Sequence, residues 1–135
     1  HFPDKQSFID DLCIEGGKLL AEGQREAMKA EGGGQGGLDA TGLFYVSFAL
    51  ENPTLFRLMS KAPTSDTALG GVNDPAKQEL ISNVTSIMPD DSTSKEREVR
   101  AMHAWSVVHG ITMLVLEGRL LNDEEMIKAV IRTPS

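Results

Sequence analysis

The chain has 135 residues, of which 40% are hydrophobic and 24% are charged, and its formal net charge is −7. These values are ordinary for one globular domain, and so acidic a chain is poorly suited to neutralising nucleic-acid phosphates. The single cysteine, Cys13, excludes an intrachain disulfide and favours a reducing, cytoplasmic location. The longest apolar run, residues 104–116, is shorter than the about 20 residues of a membrane helix. We therefore expect a cytoplasmic protein with no membrane partner.

Apolar residues recur at helical spacing along most of the chain, and strand signals are almost absent. The first helix is predicted to begin after Asp4, an expected N-cap. Its apolar face includes Gly16 and Gly23, which lower helix propensity and therefore indicate a close neighbour. The segment EGGGQGG, residues 31–37, contains G-x-G-x-x-G, but a dinucleotide site requires a preceding strand. It is predicted to be an interhelical loop.

The middle of the chain predicts two further helices separated by a polar loop. One covers about residues 38–52, and Pro53 ends it and begins a short helical turn. Residues 60–73 are rich in Pro, Ser, Thr and Gly, which is typical of a loop. The following helix has an Asn or Asp cap and a proline in its first turn, and it extends to about Met88.

The last third of the chain predicts the longest helix and a final short one. Thr93 and Glu96 have capping-box spacing and begin a helix over about residues 94–118. Asn122 and Glu125 again have cap spacing, which places the start of the last helix near Asn122. The sequence therefore predicts an all-α fold, a bundle of about five helices plus a short helical turn.

The long helix is apolar on all sides, which is typical of a helix enclosed by other structure. At about 100° per residue, one face carries Met102, Trp105, His109, Thr112 and Leu116. The opposite face carries Val107, Gly110 and Leu114. This helix is therefore predicted to be central, with the core on one side and another structure on the other.

Two segments carry a resemblance to a known family. Trp105, His109 and Gly110, within AWSVVHGITMLVLEGRL, resemble the Trp-His-Gly signature of a ligand-binding domain in TetR-type transcriptional regulators. YVSFALENPTLFRLMS, residues 45–60, is similar to that family's aromatic, Asn-Pro and methionine stretch. HFPDKQSF, residues 1–8, resembles the end of the family's DNA-reading helix and the start of the next one. The resemblance implies that residues 1–3 are a remnant of the helix-turn-helix domain and that residues 4–135 are the effector-binding and dimerisation domain.

The resemblance also implies a function and two sets of residues. The chain would belong to a repressor in which a small apolar or aromatic ligand modulates DNA binding, and operator DNA would be contacted only through the absent N-terminal domain. The expected ligand-binding residues are Tyr45, Phe48, Met59, Met88, Met102, Trp105, His109 and Met113. The expected homodimer pairs the last two helices in a four-helix bundle. Its interface residues are Val107, Gly110, Leu114, Met126, Ile127, Val130 and Ile131.

Alternative interpretations of these residues stay open. His109 is about equally well explained as a buried structural histidine, and each methionine as core filling. The whole chain could be a purely structural dimerisation bundle, which a cavity of several hundred cubic ångströms would argue against. A small helical enzyme using His109 is the other alternative. We expect no enzyme, cofactor or metal, because G-x-S-x-G is absent and His103 and His109 lack zinc-pair spacing.

Overall fold

The computed structural model describes residues 4–61 and 75–132, and within these ranges it contains six α-helices and no strand. The helices are α1 (Asp4–Ala30), α2 (Gly34–Glu51), α3 (Pro53–Lys61), α4 (Pro75–Ile87), α5 (Ser94–Leu116) and α6 (Glu124–Arg132). The prediction of an all-α fold is therefore confirmed. The expected helix-turn-helix remnant, residues 1–3, lies outside the described residues.

Several helix boundaries differ from the predicted ones. The turn after α1 is confined to residues 31–33, where Gly32 and Gly33 have φ values of 75° and 81°, so α2 includes residues 34–37 of the predicted loop. The predicted short turn after Pro53 is the nine-residue helix α3. The predicted cap at Asn122 is wrong, because Asp123 Oδ1 accepts hydrogen bonds from the first-turn backbone N–H groups of α6.

Both ends of α5 follow from local sequence. Thr93 Oγ1 accepts the backbone N–H of Glu96 at 3.0 Å, and the Thr93 N–H donates to Glu96 Oε1 at 2.8 Å. These hydrogen bonds to Thr93 hold the pKa of Glu96 below its usual value, and they confirm the predicted capping box. The helix ends at Leu116 rather than residue 118, because Gly118 has a φ of 73° and the chain reverses there.

The glycines of α1 permit close packing on its neighbours. A Cβ atom at Gly16 would lie 2.7 Å from Met59 Sδ and 3.3 Å from Leu55, both on α3. A Cβ atom at Gly23 would overlap the ring of Phe44 on α2. The prediction that both glycines face close neighbours is confirmed. Side chains larger than hydrogen at these positions would push α1 away from α2 and α3.

Helix α2, rather than α5, is the most enclosed helix of the single chain. It contributes to three core clusters, through Tyr45 and Phe48 beside α1 and α3, Leu38 beside α4 and α5, and Val46 beside α5 and α6. Helix α5 also packs against all three clusters, as expected of a helix with the core on one side, but it is not enclosed within the single chain. Helix α5 lies at the side of the bundle, between the core and solvent.

Helix α5 combines an apolar composition with little burial. Among its described residues only Ala101, Ile111 and Thr112 are buried. Its 23 residues are long and apolar enough to cross a membrane by length and composition, although the apolar run alone is too short. Core helices of soluble proteins meet the same criterion, so this is weak evidence. Much of the apolar surface of α5 therefore stays uncovered in a single chain.

Candidate ligand cavity

A partly open cavity of about 580 Å³ lies between the helices, and all six helices of the described chain contribute to its wall. This volume is within the range of small-molecule sites in proteins. Closely packed domains contain few voids larger than a water molecule, so a cavity of this size is not an ordinary packing defect. Its lining combines apolar side chains with several polar and charged ones, and is therefore suited to an organic molecule that has both kinds of surface.

Four of the eight expected ligand-binding residues line the cavity, namely Tyr45, Met59, Trp105 and His109. The other four lie in the packing around it. Phe48 is buried in the core cluster between α1, α2 and α3, and Met113 packs against that cluster. Met88 and Met102 pack against the cluster between α2, α4 and α5. These four side chains support the cavity wall but do not form its surface.

His109 is held at the cavity wall by aromatic neighbours and by one hydrogen bond. Its Nδ1 atom lies 2.8 Å from the Tyr45 hydroxyl oxygen, and the Phe56 ring centroid is 5.6 Å from that of the imidazole. Burial lowers the pKa of His109, so the ring is neutral at neutral pH. A neutral imidazole has one donor and one acceptor, so Tyr45 engages one nitrogen and leaves the complementary role to Nε2.

Trp105 lies between the cavity and a cationic side chain. Its ring is in edge contact with His109, with centroids 6.2 Å apart. The Lys77 ammonium nitrogen of α4 lies 4.2 Å from the centroid of the indole, within the range of cation–π attraction. One face of the indole is therefore already occupied by a positive charge.

Gln24 is a cavity residue that the sequence analysis missed. It is only 6% exposed, and its Oε1 atom is buried with no hydrogen-bond partner in the described parts of the chain. Buried polar groups are nearly always paired, so this amide is unusual. A signal was present, since steps of four place Gln24 on the helical face of Gly16 and Leu20.

Charged residues at the cavity were also missed by the sequence analysis. Lys77, Arg100 and Arg132 line it, together with the carboxylate of Asp39. Arg100 donates to Gln35 Oε1 at 3.3 Å, and Gln35 in turn donates to Asp39 Oδ1 at 2.9 Å. This relay connects α5 to the first turns of α2. On amphipathic helices such residues resemble an ordinary solvated face, so their sequence positions alone gave no signal.

The seven expected interface residues fall into two groups. Leu114, Met126 and Val130 are exposed large apolar side chains, and a Cβ atom at Gly110 would meet nothing within 4 Å. In contrast, Ile127 is only 4% exposed and forms a core cluster with Val46 and Ile111. The remaining two, Val107 and Ile131, pack against that same cluster and, like Val130, also line the cavity.

The described residues offer little for catalysis. In residues 4–61 and 75–132, no three His, Cys, Asp or Glu side chains are placed to hold a metal ion. Burial, aided by the charge of Asp10, raises the pKa of the Cys13 thiol, which disfavours the reactive thiolate. The side chains that line the cavity offer apolar contact and hydrogen bonds.

Comparison with known proteins gives one match. Residues 38–133 match the family described as the tetracyclin repressor-like C-terminal domain. No curated protein and no solved structure gives a significant match. The matched range begins within α2 and extends past α6, so it includes His109, Trp105 and most of the cavity lining.

Proposed function

Because the chain belongs to the family of tetracyclin repressor-like C-terminal domains, we propose that it is the effector-binding and dimerisation domain of a transcriptional repressor. In this proposal a small apolar or aromatic molecule occupies the cavity and modulates DNA binding by a helix-turn-helix domain joined at residues 1–3. The cavity of about 580 Å³ is the observation that carries the proposal. A purely structural dimerisation bundle would be expected to have a filled core, without a cavity of this size.

The cavity lining supports this ligand class. Phe56, Met59 and Trp105 offer aromatic and thioether surfaces, which adapt to apolar ligands of varied shape. Neutral His109, positioned by Tyr45, offers its second ring nitrogen as a polar contact that orients the ligand. Apolar contact would supply most of the affinity in this arrangement, and the imidazole would supply selectivity.

The uncovered apolar side chains of α5 and α6 support a two-fold dimer. Leu114 on α5 and Val130 on α6 are exposed, and the open space at Gly110 permits a second helix to approach closely. Pairing α5 and α6 with their copies gives a four-helix bundle, a common form of symmetric helical interface. The same α5 carries Trp105 and His109 at the cavity. A ligand with different affinity for two arrangements of α5 would therefore shift the dimer between them.

Trp105 provides the test of ligand binding, because it is the only tryptophan of the chain. We expect apolar or aromatic small molecules to change its fluorescence saturably. His109→Ala should weaken ligands with a polar group by about 1–3 kcal/mol, which is the usual cost of a lost buried hydrogen bond. Leu121→Ala is the matched control, because this side chain is 84% exposed and lies outside the cavity.

Two results would count against the proposal. Equal effects of His109→Ala and Leu121→Ala on ligand affinity would remove the assigned role of the imidazole. Absence of any saturable response across a varied ligand panel would favour the purely structural bundle. Mass analysis of the ligand after incubation separates binding from turnover, and a chemically changed ligand would instead favour the enzyme alternative.

A further inference from the structure

The charge around the cavity has the opposite sign to that of the whole chain. The sequence has 20 acidic and 13 basic residues, yet among the described residues the cavity lining has three cationic side chains, Lys77, Arg100 and Arg132, against Asp39. Asp39 is already engaged by the amide of Gln35, which also accepts from Arg100. The cavity of an acidic protein is thus locally basic, which favours an anionic ligand group over a cationic one.

The aromatic side chains do not reverse this preference. Aromatic rings can bind cations through their faces, and Trp105 is the strongest candidate of this kind in the cavity. However, the Lys77 ammonium already lies 4.2 Å from its ring centroid. A cationic ligand on that face would have to displace this lysine, and one on the opposite face would still lie near its positive charge.

Gln24 is a second and independent indication of a polar ligand group. Its side chain lines the cavity, is more than nine-tenths buried, and has an unpartnered Oε1 atom. Leaving such an amide without a partner costs free energy, which a bound polar group can recover. The unpartnered atom is an oxygen, which accepts a hydrogen bond, so a donor group on the ligand such as a hydroxyl would satisfy it.

On these observations, and resting on the proposed function, we propose that the effector is an organic monoanion, a carboxylate with an apolar body. Lys77 and Arg100, which line the cavity, attract the carboxylate, and the Gln24 oxygen accepts a hydrogen bond from a donor elsewhere on the ligand. The apolar body packs against Phe56 and Met59. Lys77 and Arg100 lie on α4 and α5, which pack together, so two helices of the bundle contribute to recognition of the charge.

The test compares three probes with the same apolar chain and different head groups. Decanoate, 1-decanol and decyltrimethylammonium are titrated into the 135-residue chain at neutral pH, and Trp105 fluorescence reports the affinity. Decanoate should bind at least about tenfold more tightly than decanol, since a hydrogen bond to a charged group is worth that much. The ammonium probe should bind most weakly.

Substitution of single cationic residues then shows which side chains cause the preference for an anion. Lys77→Met should weaken decanoate about tenfold and leave decanol affinity unchanged, because only the anion loses a charged partner. Arg100→Met is a second variant with the same expectation, in case loss of the Lys77 contact with Trp105 disturbs the fold. Lys95→Gln is the matched control, because it removes the same charge from an exposed residue that does not line the cavity.

The outcomes separate this inference from the proposed function. Saturable binding of decanol as tight as that of decanoate would overturn the anion assignment and leave the cavity as an effector site. Equal weakening by Lys95→Gln and Lys77→Met would also overturn it, because the attraction would then come from total charge. A saturable response to none of the three probes would overturn both proposals.

Discussion

Replacing Gly23 with alanine tests how closely α1 and α2 are packed. Alanine improves helix propensity by roughly 0.5–1 kcal/mol relative to glycine. Against this gain, the new Cβ atom would overlap the Phe44 ring, which supplies all three of its nearest atoms. Overpacking of a well-packed site typically costs about 1–3 kcal/mol. Because Phe44 packs beside the buried ring of Phe48, we expect the upper part of this range and a net destabilisation of about 1–2 kcal/mol.

Urea denaturation followed by helical circular dichroism measures this change in the free energy of unfolding. All variants must be compared at one chain concentration, because assembly contributes to apparent stability. Gly36→Ala is the matched control, since a Cβ atom there meets nothing within 4 Å and its φ is not positive. It should stabilise the chain by roughly 0.5–1 kcal/mol.

A double-mutant cycle with Phe44→Ala isolates the overlap. Without the ring, Gly23→Ala should be neutral or stabilising, so the two substitutions should couple by more than about 1 kcal/mol. A stabilising Gly23→Ala in the parent chain, equal to the effect of Gly36→Ala, would refute the reasoning. Helix α1 would then lie farther from α2 than the structure has it.

Further predictions concern assembly, capping and pH. The double substitution Leu114→Glu and Val130→Glu should give a folded monomer in sedimentation analysis. A doubly substituted chain that stays dimeric would place the interface elsewhere. Thr93→Ala should lower the free energy of unfolding by about 1 kcal/mol, the typical value of an N-cap, and an unchanged denaturation midpoint would contradict the capping box. Burial lowers the pKa of His109, so the unfolded chain binds a proton that the folded chain excludes. Stability from this residue is therefore present above the ordinary histidine pKa of about 6.5 and is lost as the pH falls below it. His109→Gln should flatten the stability profile between about pH 7 and 5, whereas parallel profiles would show that His109 does not contribute.

The helices could be predicted from sequence because their signals are local. Apolar period, proline positions and the Thr93–Glu96 pair each act within a few residues. The early start of α2 could not be predicted, because glycines there read as a loop. Tertiary contact decides this point, since a Cβ atom at Gly37 would lie 2.7 Å from Met28 Sδ on α1. Glycine is required by the packing there, and the helix forms despite its propensity.

The candidate site was predictable only in part. The family motif led to Trp105 and His109, and helical spacing gave the face that they share. The rotation of each helix within the bundle decides which methionines reach the cavity. The pattern of apolar residues in one sequence does not determine this rotation. Met59 therefore lines the cavity whereas Met88 packs beside it. Gln24 was missed because Glu22, Arg25 and Glu26 surround it in the sequence, and the stretch as a whole looks solvent-facing.

The glycine contacts of α1 have a mechanical consequence. Met59 lines the cavity and also lies against Gly16, so a ligand that displaces this side chain acts directly on α1. If the contact of Gly23 with Phe44 serves as a pivot, Gly16 lies about 10 Å from it and Asp4 about 28 Å from it along the rigid helix. The helix then turns about Gly23, and its first turn lies farther from this pivot than the contact with Met59 does. A displacement of α1 at its contact with Met59 would then be nearly threefold larger at the first turn of the helix, which is the ratio of these two distances.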